Sequence, residues 1–109
     1  MAFDYSFTAA AKEDLEGILS YISKDLSNPT AASAFLDNIE KAIGQLIEFP
    51  QSGSLLENEF VAAGNIRKVP VGNYALYYTP DNIRSTVVII RIIYSKRDPK
   101  WISDQLGQN

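Results

Sequence analysis

The chain has 109 residues with neither cysteine nor histidine, which excludes disulfides, thiolate chemistry and any imidazole-based acid–base or metal chemistry. Hydrophobic residues make up 46% of it and aromatic residues 11%, enough for one ordinary core, which excludes general disorder. The net charge of −3 conceals a division: residues 1–65 hold three lysines against ten acids, a net −7, and residues 66–102 hold seven bases against two acids, a net +5. Either the two halves meet different partners, or acidic helices pair with a basic sheet edge inside the molecule. The expectation is a single domain over residues 1–109, soluble and cytoplasmic, with no cofactor and no membrane span.

Phe3-Asp-Tyr-Ser-Phe7 alternates apolar and polar residues, predicting a first strand with Phe3, Tyr5 and Phe7 on one face. Thr8 has the chemistry of an N-cap for the helix that follows. In that helix Leu15, Ile18, Leu19, Ile22 and Leu26 recur at helical spacing and form one stripe, with Glu13, Asp14 and Glu16 in or near the first turns, where the dipole favours acids. Ser27-Asn28-Pro29 stops this helix and starts another, Asn28 capping and Pro29 taking the first helical position. The second stripe is Ala32, Phe35, Ile39, Ala42, Ile43 and Leu46, and the short connection makes the two helices an antiparallel hairpin. Gly17 and Gly44 each cost about 1 kcal/mol relative to alanine, and close helix packing is the expected reason for both. Phe49-Pro-Gln-Ser-Gly53 ends the hairpin, and a short helical turn is expected around Leu55–Phe60.

From Ile66 to Asp98 the chain reads as three strands, with turns at Val71-Gly-Asn73 and Thr79-Pro-Asp-Asn82. Val87 to Tyr94 is nearly all apolar, as a central strand covered on both faces should be. Arg91 interrupts it and must reach water, a carboxylate or a ligand. Pro99 to Leu106 reads as a terminal helix whose Trp101 and Leu106 pack back on the body. The fold class is α+β, ordered β-αα-βββ with a short C-terminal helix.

The recurring signatures of phosphate loops, metal sites and nucleophile elbows are absent. The candidate functional residues are basic and aromatic. Arg67 and Lys68 open one strand, Arg91 lies in another, and Lys96 and Arg97 follow it directly beside Tyr94. Arg67 and Arg97 are expected at neighbouring strand ends, where two cations repel without a shared anion. With Tyr74 and Trp101, such a surface can bind phosphates, stack bases, and stabilise the charge of phosphodiester cleavage without histidine. The plain alternative is that the tyrosines are core and rim residues and the bases are solvated.

The segments AKEDLEGILSYI, LSNPTAASAF, FPQSG, IRKVPVGNYALYY and VVIIRIIYSKRD, in this order, resemble the RelE/ParE superfamily of toxins from bacterial type II toxin–antitoxin modules. The resemblance spans nearly the whole chain. It implies a helical hairpin packed on a small, mostly antiparallel sheet, and an antitoxin that wraps and neutralises the toxin in a hetero-oligomer. It also implies one of two targets: RelE-like members cleave mRNA in the ribosomal A site, and ParE-like members inhibit DNA gyrase and are not nucleases. Arg67 matches the family arginine before the NYALYY strand, Arg97 the one after the last strand, and Tyr94 stands where many relatives have His or Tyr. In the nuclease reading Arg67 and Arg97 stabilise the scissile phosphate and Tyr94 lies near the 2′-OH; Lys68, Arg91, Lys96, Tyr74 and Trp101 are binding candidates. The chain departs from RelE-like members in its acidity and in reading Glu57-Asn58-Glu59-Phe60 where they carry lysines, which leaves both targets open.

Overall fold

The computed structural model describes residues 2–56 and 65–107. Thr8 decides where the first strand stops. Its N–H donates to Ile89 O at 3.0 Å, its Oγ1 donates to Ile90 O at 2.8 Å, and the same Oγ1 accepts from Ala11 N at 3.1 Å. It therefore closes strand β1 (Asp4–Phe7) and caps helix α1 (Ala9–Ser20) in one residue. A π-helical turn over Tyr21–Asp25 follows, then helix α2 (Pro29–Glu48), capped by Asn28 Oδ1 accepting from Ala31 N at 3.1 Å, with Pro29 opening the helix. Strands β2 (Ser54–Leu55), β3 (Arg67–Val71), β4 (Tyr74–Asp81) and β5 (Thr86–Tyr94) and helix α3 (Pro99–Leu106) complete the order. The sheet runs β1-β5-β4-β3-β2, with β1 parallel to β5 and the remaining pairs antiparallel.

Each face of the sheet has its own cover, as expected for β5. On one face Val71, Leu76, Tyr78, Val87, Ile89 and Ile92 meet Ile18, Phe35, Ile39, Ile43 and Leu46 of the helical hairpin. On the other, Ala75, Tyr77, Ile90 and Ile93 meet Ile102 and Leu106 of α3, with Trp101 partly buried beside them. A bulge lets β5 serve both: Tyr77 pairs with Arg91 and Tyr78 with Ile89, so Ile90 is the extra residue and the alternation resets there.

Four expectations change. The second turn lies at residues 82–85, because β4 runs on through Thr79, Pro80 and Asp81. Leu26 is 55% exposed, not part of the α1 stripe. The π turn inserts extra residues per revolution, so the apolar face has rotated away by the time Leu26 is reached; its N–H bonds Tyr21 O, five residues back. A Cβ placed on Gly17 or Gly44 would meet nothing within 4 Å, so neither glycine is a close-packing point. Leu55 lies in β2, paired with Arg67, in place of a helical turn, and residues 57–60 of that expectation lie outside the described residues. Two residues are too few to print a periodicity, which is why β2 escapes the sequence.

The segment after α2 is fastened by Tyr78, which is fully buried. Its hydroxyl donates to Pro50 O at 2.8 Å and accepts from Gly53 N at 2.9 Å. A Cβ on Gly53 would lie 2.6 Å from that oxygen and 2.9 Å from Lys68 O, so only glycine fits. Tyr78→Phe should cost about 1–3 kcal/mol, because it strands a buried N–H and a C=O. In the same urea titrations Ile39→Ala should cost about 2–5 kcal/mol, and Leu19→Ala, half-buried, clearly less. Equal losses for Ile39→Ala and Leu19→Ala would contradict this placement of the core.

Candidate functional site

The turn between β5 and α3 shapes the principal pocket. Ser95 N donates to Asn73 O at 2.9 Å and Arg97 N to Tyr94 O at 3.1 Å, while Asp98 caps α3 by accepting from Trp101 N at 3.3 Å and Pro99 opens the helix. The tight turn lays the Arg97 guanidinium over the Trp101 ring, 4.6 Å from its centroid. Across the strand pair, Tyr74 lies opposite Tyr94 with ring centroids 5.8 Å apart, and Phe35 of α2 stands behind Tyr74 at 5.3 Å. Tyr21, at the start of the π turn, completes an aromatic wall. Between this wall, α1 and α3 lies an open pocket of about 340 Å³. It gathers Tyr74, Arg91, Tyr94, Arg97 and Trp101 of the sequence candidates, and adds Glu13, Asp14, Gly17 and Tyr21. Burial, and then the neighbouring Tyr21 and Tyr94, push the Tyr74 hydroxyl above the ordinary phenol range.

Arg91 finds its carboxylate in Asp14. Its Nε donates to Asp14 Oδ2 at 2.7 Å and its Nη2 to Oδ1 at 3.0 Å, while Nη1 donates to Gln105 Oε1 at 2.9 Å. Asp14 Oδ2 also accepts the Ile92 N–H at 3.0 Å, taking the place β1 would occupy had it continued along β5. Both side chains are only about 15% exposed, and the bonds to Asp14 raise the Arg91 pKa above its ordinary value. Asp14, grouped in the sequence with the acids near the start of α1, is thus a largely buried ion-pair partner, and it lies beyond the first turn, which holds no acid. Any of ten N-terminal acids could have matched Arg91, so the pairing carried no sequence signal.

Arg67 is elsewhere. Its Nη1 donates to Gln51 O at 3.1 Å and Gly53 O at 2.8 Å, and its Nε is buried without a partner among the described residues. The register sets Arg67 beside Tyr78 and Tyr78 beside Ile89, whereas Arg97 lies beyond Tyr94. Five residues of strand separate those levels, about 16 Å at 3.3 Å per residue. The expected juxtaposition of Arg67 with Arg97 is therefore corrected: antiparallel pairing puts them towards opposite ends of the sheet, and no single anion bridges them. Lys68 faces the α3 side with Tyr77, Ser95 and Arg97, around a separate pocket of about 210 Å³. Lys96 is exposed on the turn. Among the described residues no three Asp or Glu side chains converge as metal ligands.

With this geometry in hand, comparison decides the family. A sequence family described as the ParE toxin of the type II toxin–antitoxin system parDE matches residues 5–99. The chain belongs to the ParE toxin family. The ParE-family fold is shared with solved structures: the chromosomal ParDE system of P. aeruginosa at TM-score 0.66 and 17% identity, over 85% of this chain and 96% of that one. The RelBE2 toxin–antitoxin complex of Mycobacterium tuberculosis aligns at 0.61 and 26% identity, over 86% and 99%, and the intact E. coli RelBE complex at 0.61 and 14%, over 88% and 100%. No curated protein matches. This ParE-family toxin has no described helix long and apolar enough to cross a membrane.

Asp14→Ala should destabilise this ParE-family toxin by about 2–4 kcal/mol, since it leaves a largely buried Arg91 with Gln105 as its remaining partner; a loss under about 1 kcal/mol by denaturant titration would mean the pair is solvated in solution. Burial also pushes Tyr77 and Tyr78 above the usual phenol value of 10.0. Phenols that lose their protons later when folded add stability that is whole below about pH 10 and falls as pH rises through their folded values. Melting temperature should therefore decline on the alkaline side of about pH 10, and less steeply in Tyr77→Phe.

Proposed function

We propose that this toxin arrests growth by protein–protein contact with DNA gyrase, acting in the cytoplasm as one domain over residues 1–109 and held silent by a cognate antitoxin. The observation that carries the reading is the lining of the pocket. Tyr21 and Tyr94, 48% and 43% exposed, stand with Trp101 and Arg97 around it, and Tyr, Trp and Arg are the residues that anchor protein interfaces. Counted together, its two arginines and two acids leave no net charge, so the site lacks the cationic surplus that phosphate binding uses. Of the three candidate arginines, Arg67 is engaged with backbone carbonyls and Arg91 with Asp14. The antitoxin partner is supported by relatives solved as toxin–antitoxin complexes.

A second reading, ribosome-dependent mRNA cleavage, has one observation in its favour: Lys68 and Arg97 border the same small pocket with the hydroxyl-bearing Tyr77 and Ser95. Purified toxin should inhibit gyrase supercoiling, and Tyr94→Ala with Arg97→Ala should relieve inhibition at least about tenfold, the loss of about 1.4 kcal/mol of contact, without lowering the melting temperature. In cells, thymidine incorporation should fall before methionine incorporation. Early translation arrest with RNA fragments, abolished by Lys68→Ala, would replace the gyrase reading with the nuclease one.

A further inference from the structure

The charged groups of the principal pocket are unequally engaged. Arg91 donates from Nε and Nη2 to Asp14 and from Nη1 to Gln105, and Asp14 accepts three hydrogen bonds in all. Arg97 is stacked on Trp101 and sits on the α3 side, where it also borders the Lys68 pocket. Glu13 is different. It is exposed, lines the same pocket, and forms no hydrogen bond or ion pair among the described residues, its charge acting on Arg91 only at longer range. Tyr21 and Tyr94, both about half exposed, line the same pocket, with the Tyr74 ring edge-on to Tyr94.

The floor is bare as well. Gly17 lines the pocket from the middle of α1, and a Cβ there would touch nothing within 4 Å. Packing does not require a glycine at this position, although it costs the helix about 1 kcal/mol relative to alanine. Its effect is to leave room under the aromatic wall.

Phenol faces, one unpaired carboxylate and an open floor are the elements of cation recognition. A cation over a tyrosine ring gains about 0.5–2 kcal/mol, and a charge-assisted hydrogen bond to a carboxylate adds to it. A guanidinium suits this site better than an ammonium, because it is planar, stacks on rings and meets a carboxylate with two parallel N–H groups. We propose that the pocket receives an arginine side chain of the target protein, its guanidinium paired with Glu13 and flanked by Tyr21 and Tyr94. The identity of the arginine's donor rests on the gyrase reading; the cation site itself does not.

Trp101 is the sole tryptophan of the chain and lines this pocket, so its fluorescence reports occupancy directly. Isolated toxin would be titrated with N-acetyl-arginine amide and with N-acetyl-citrulline amide, its uncharged isostere. The arginine ligand should give a saturable change and the citrulline ligand none. Glu13→Gln should weaken the arginine response about tenfold. Gly17→Leu, which fills the floor without altering charge, should abolish it while the protein melts no lower than wild type. Equal responses to the two ligands, an unchanged response in Glu13→Gln, or a response to inorganic phosphate in place of arginine would each overturn the site. The source of the arginine is read separately. Glu13→Gln should lose gyrase inhibition and keep antitoxin affinity; the opposite pattern would overturn the assignment to the target. A wild-type toxin that binds the arginine ligand yet leaves gyrase fully active would sink the gyrase reading and leave the cation site standing.

Discussion

The Asp14–Arg91 pair is the joint on which the arrangement depends. It links three elements through a handful of atoms: α1 through the carboxylate, β5 through the guanidinium and the Ile92 N–H, and α3 through Gln105. A strand edge left bare where β1 stops would expose unpaired donors, and Asp14 answers one of them with a side chain. The geometry is bidentate, the arrangement in which arginine and carboxylate bind most strongly. Because the pair also forms one side of the principal pocket, the same bonds that hold α1 against the sheet fix the distance between Glu13 and the tyrosines. Stability and site geometry share those bonds, so a substitution that loosens the joint would blur the pocket before it unfolds the protein.

The two sides of the sheet carry different kinds of surface. The hairpin side has a second groove of about 420 Å³, bordered by Tyr5, Phe7, Leu15, Leu36 and Ile47 and floored by Gly44. The α3 side is narrower and cationic, with Lys68 and Arg97. The principal pocket sits where these sides meet at the end of β5. Each helical glycine of the hairpin lies in a groove, and neither is in contact with a neighbouring helix. Their shared property is space at the surface.

Much of this was legible in the residues. Long elements with strong patterning, the α2 stripe and the apolar run of β5, could be read because many side chains repeat one message; so could the caps Thr8 and Asn28, since each acts on a backbone N–H three residues away. What stayed hidden depends on distance or on exceptions to regular geometry. The π turn changes the residues per revolution without any distinctive residue type, so Leu26 was assigned to a stripe it leaves. The choice of Asp14 over nine other acids for Arg91 is made by tertiary packing. Arg67 and Arg97 flank the three strands in sequence, and from there they look adjacent; only the antiparallel register shows that the chain has reversed twice between them. Tyr21 and Glu13 were missed because a helix-surface tyrosine and glutamate are ordinary until the pocket they line is known.

β1 pairs with β5 across the whole chain, Asp4 opposite Thr86. Contacts so distant in sequence form late, because most of the chain's loop-closure entropy must be lost before they return any stability. On the ribosome the delay is set by synthesis. The helical hairpin is complete in sequence by Glu48, yet the strands that cover its apolar face do not begin until Arg67, and the β5 positions Ile89 and Ile92 come later still. Nor does the principal pocket exist before then, since Tyr94, Arg97 and Trp101 are made only after the rest of β5. The order of the chain therefore works as a timer: this toxin has no finished site until Trp101 has been added.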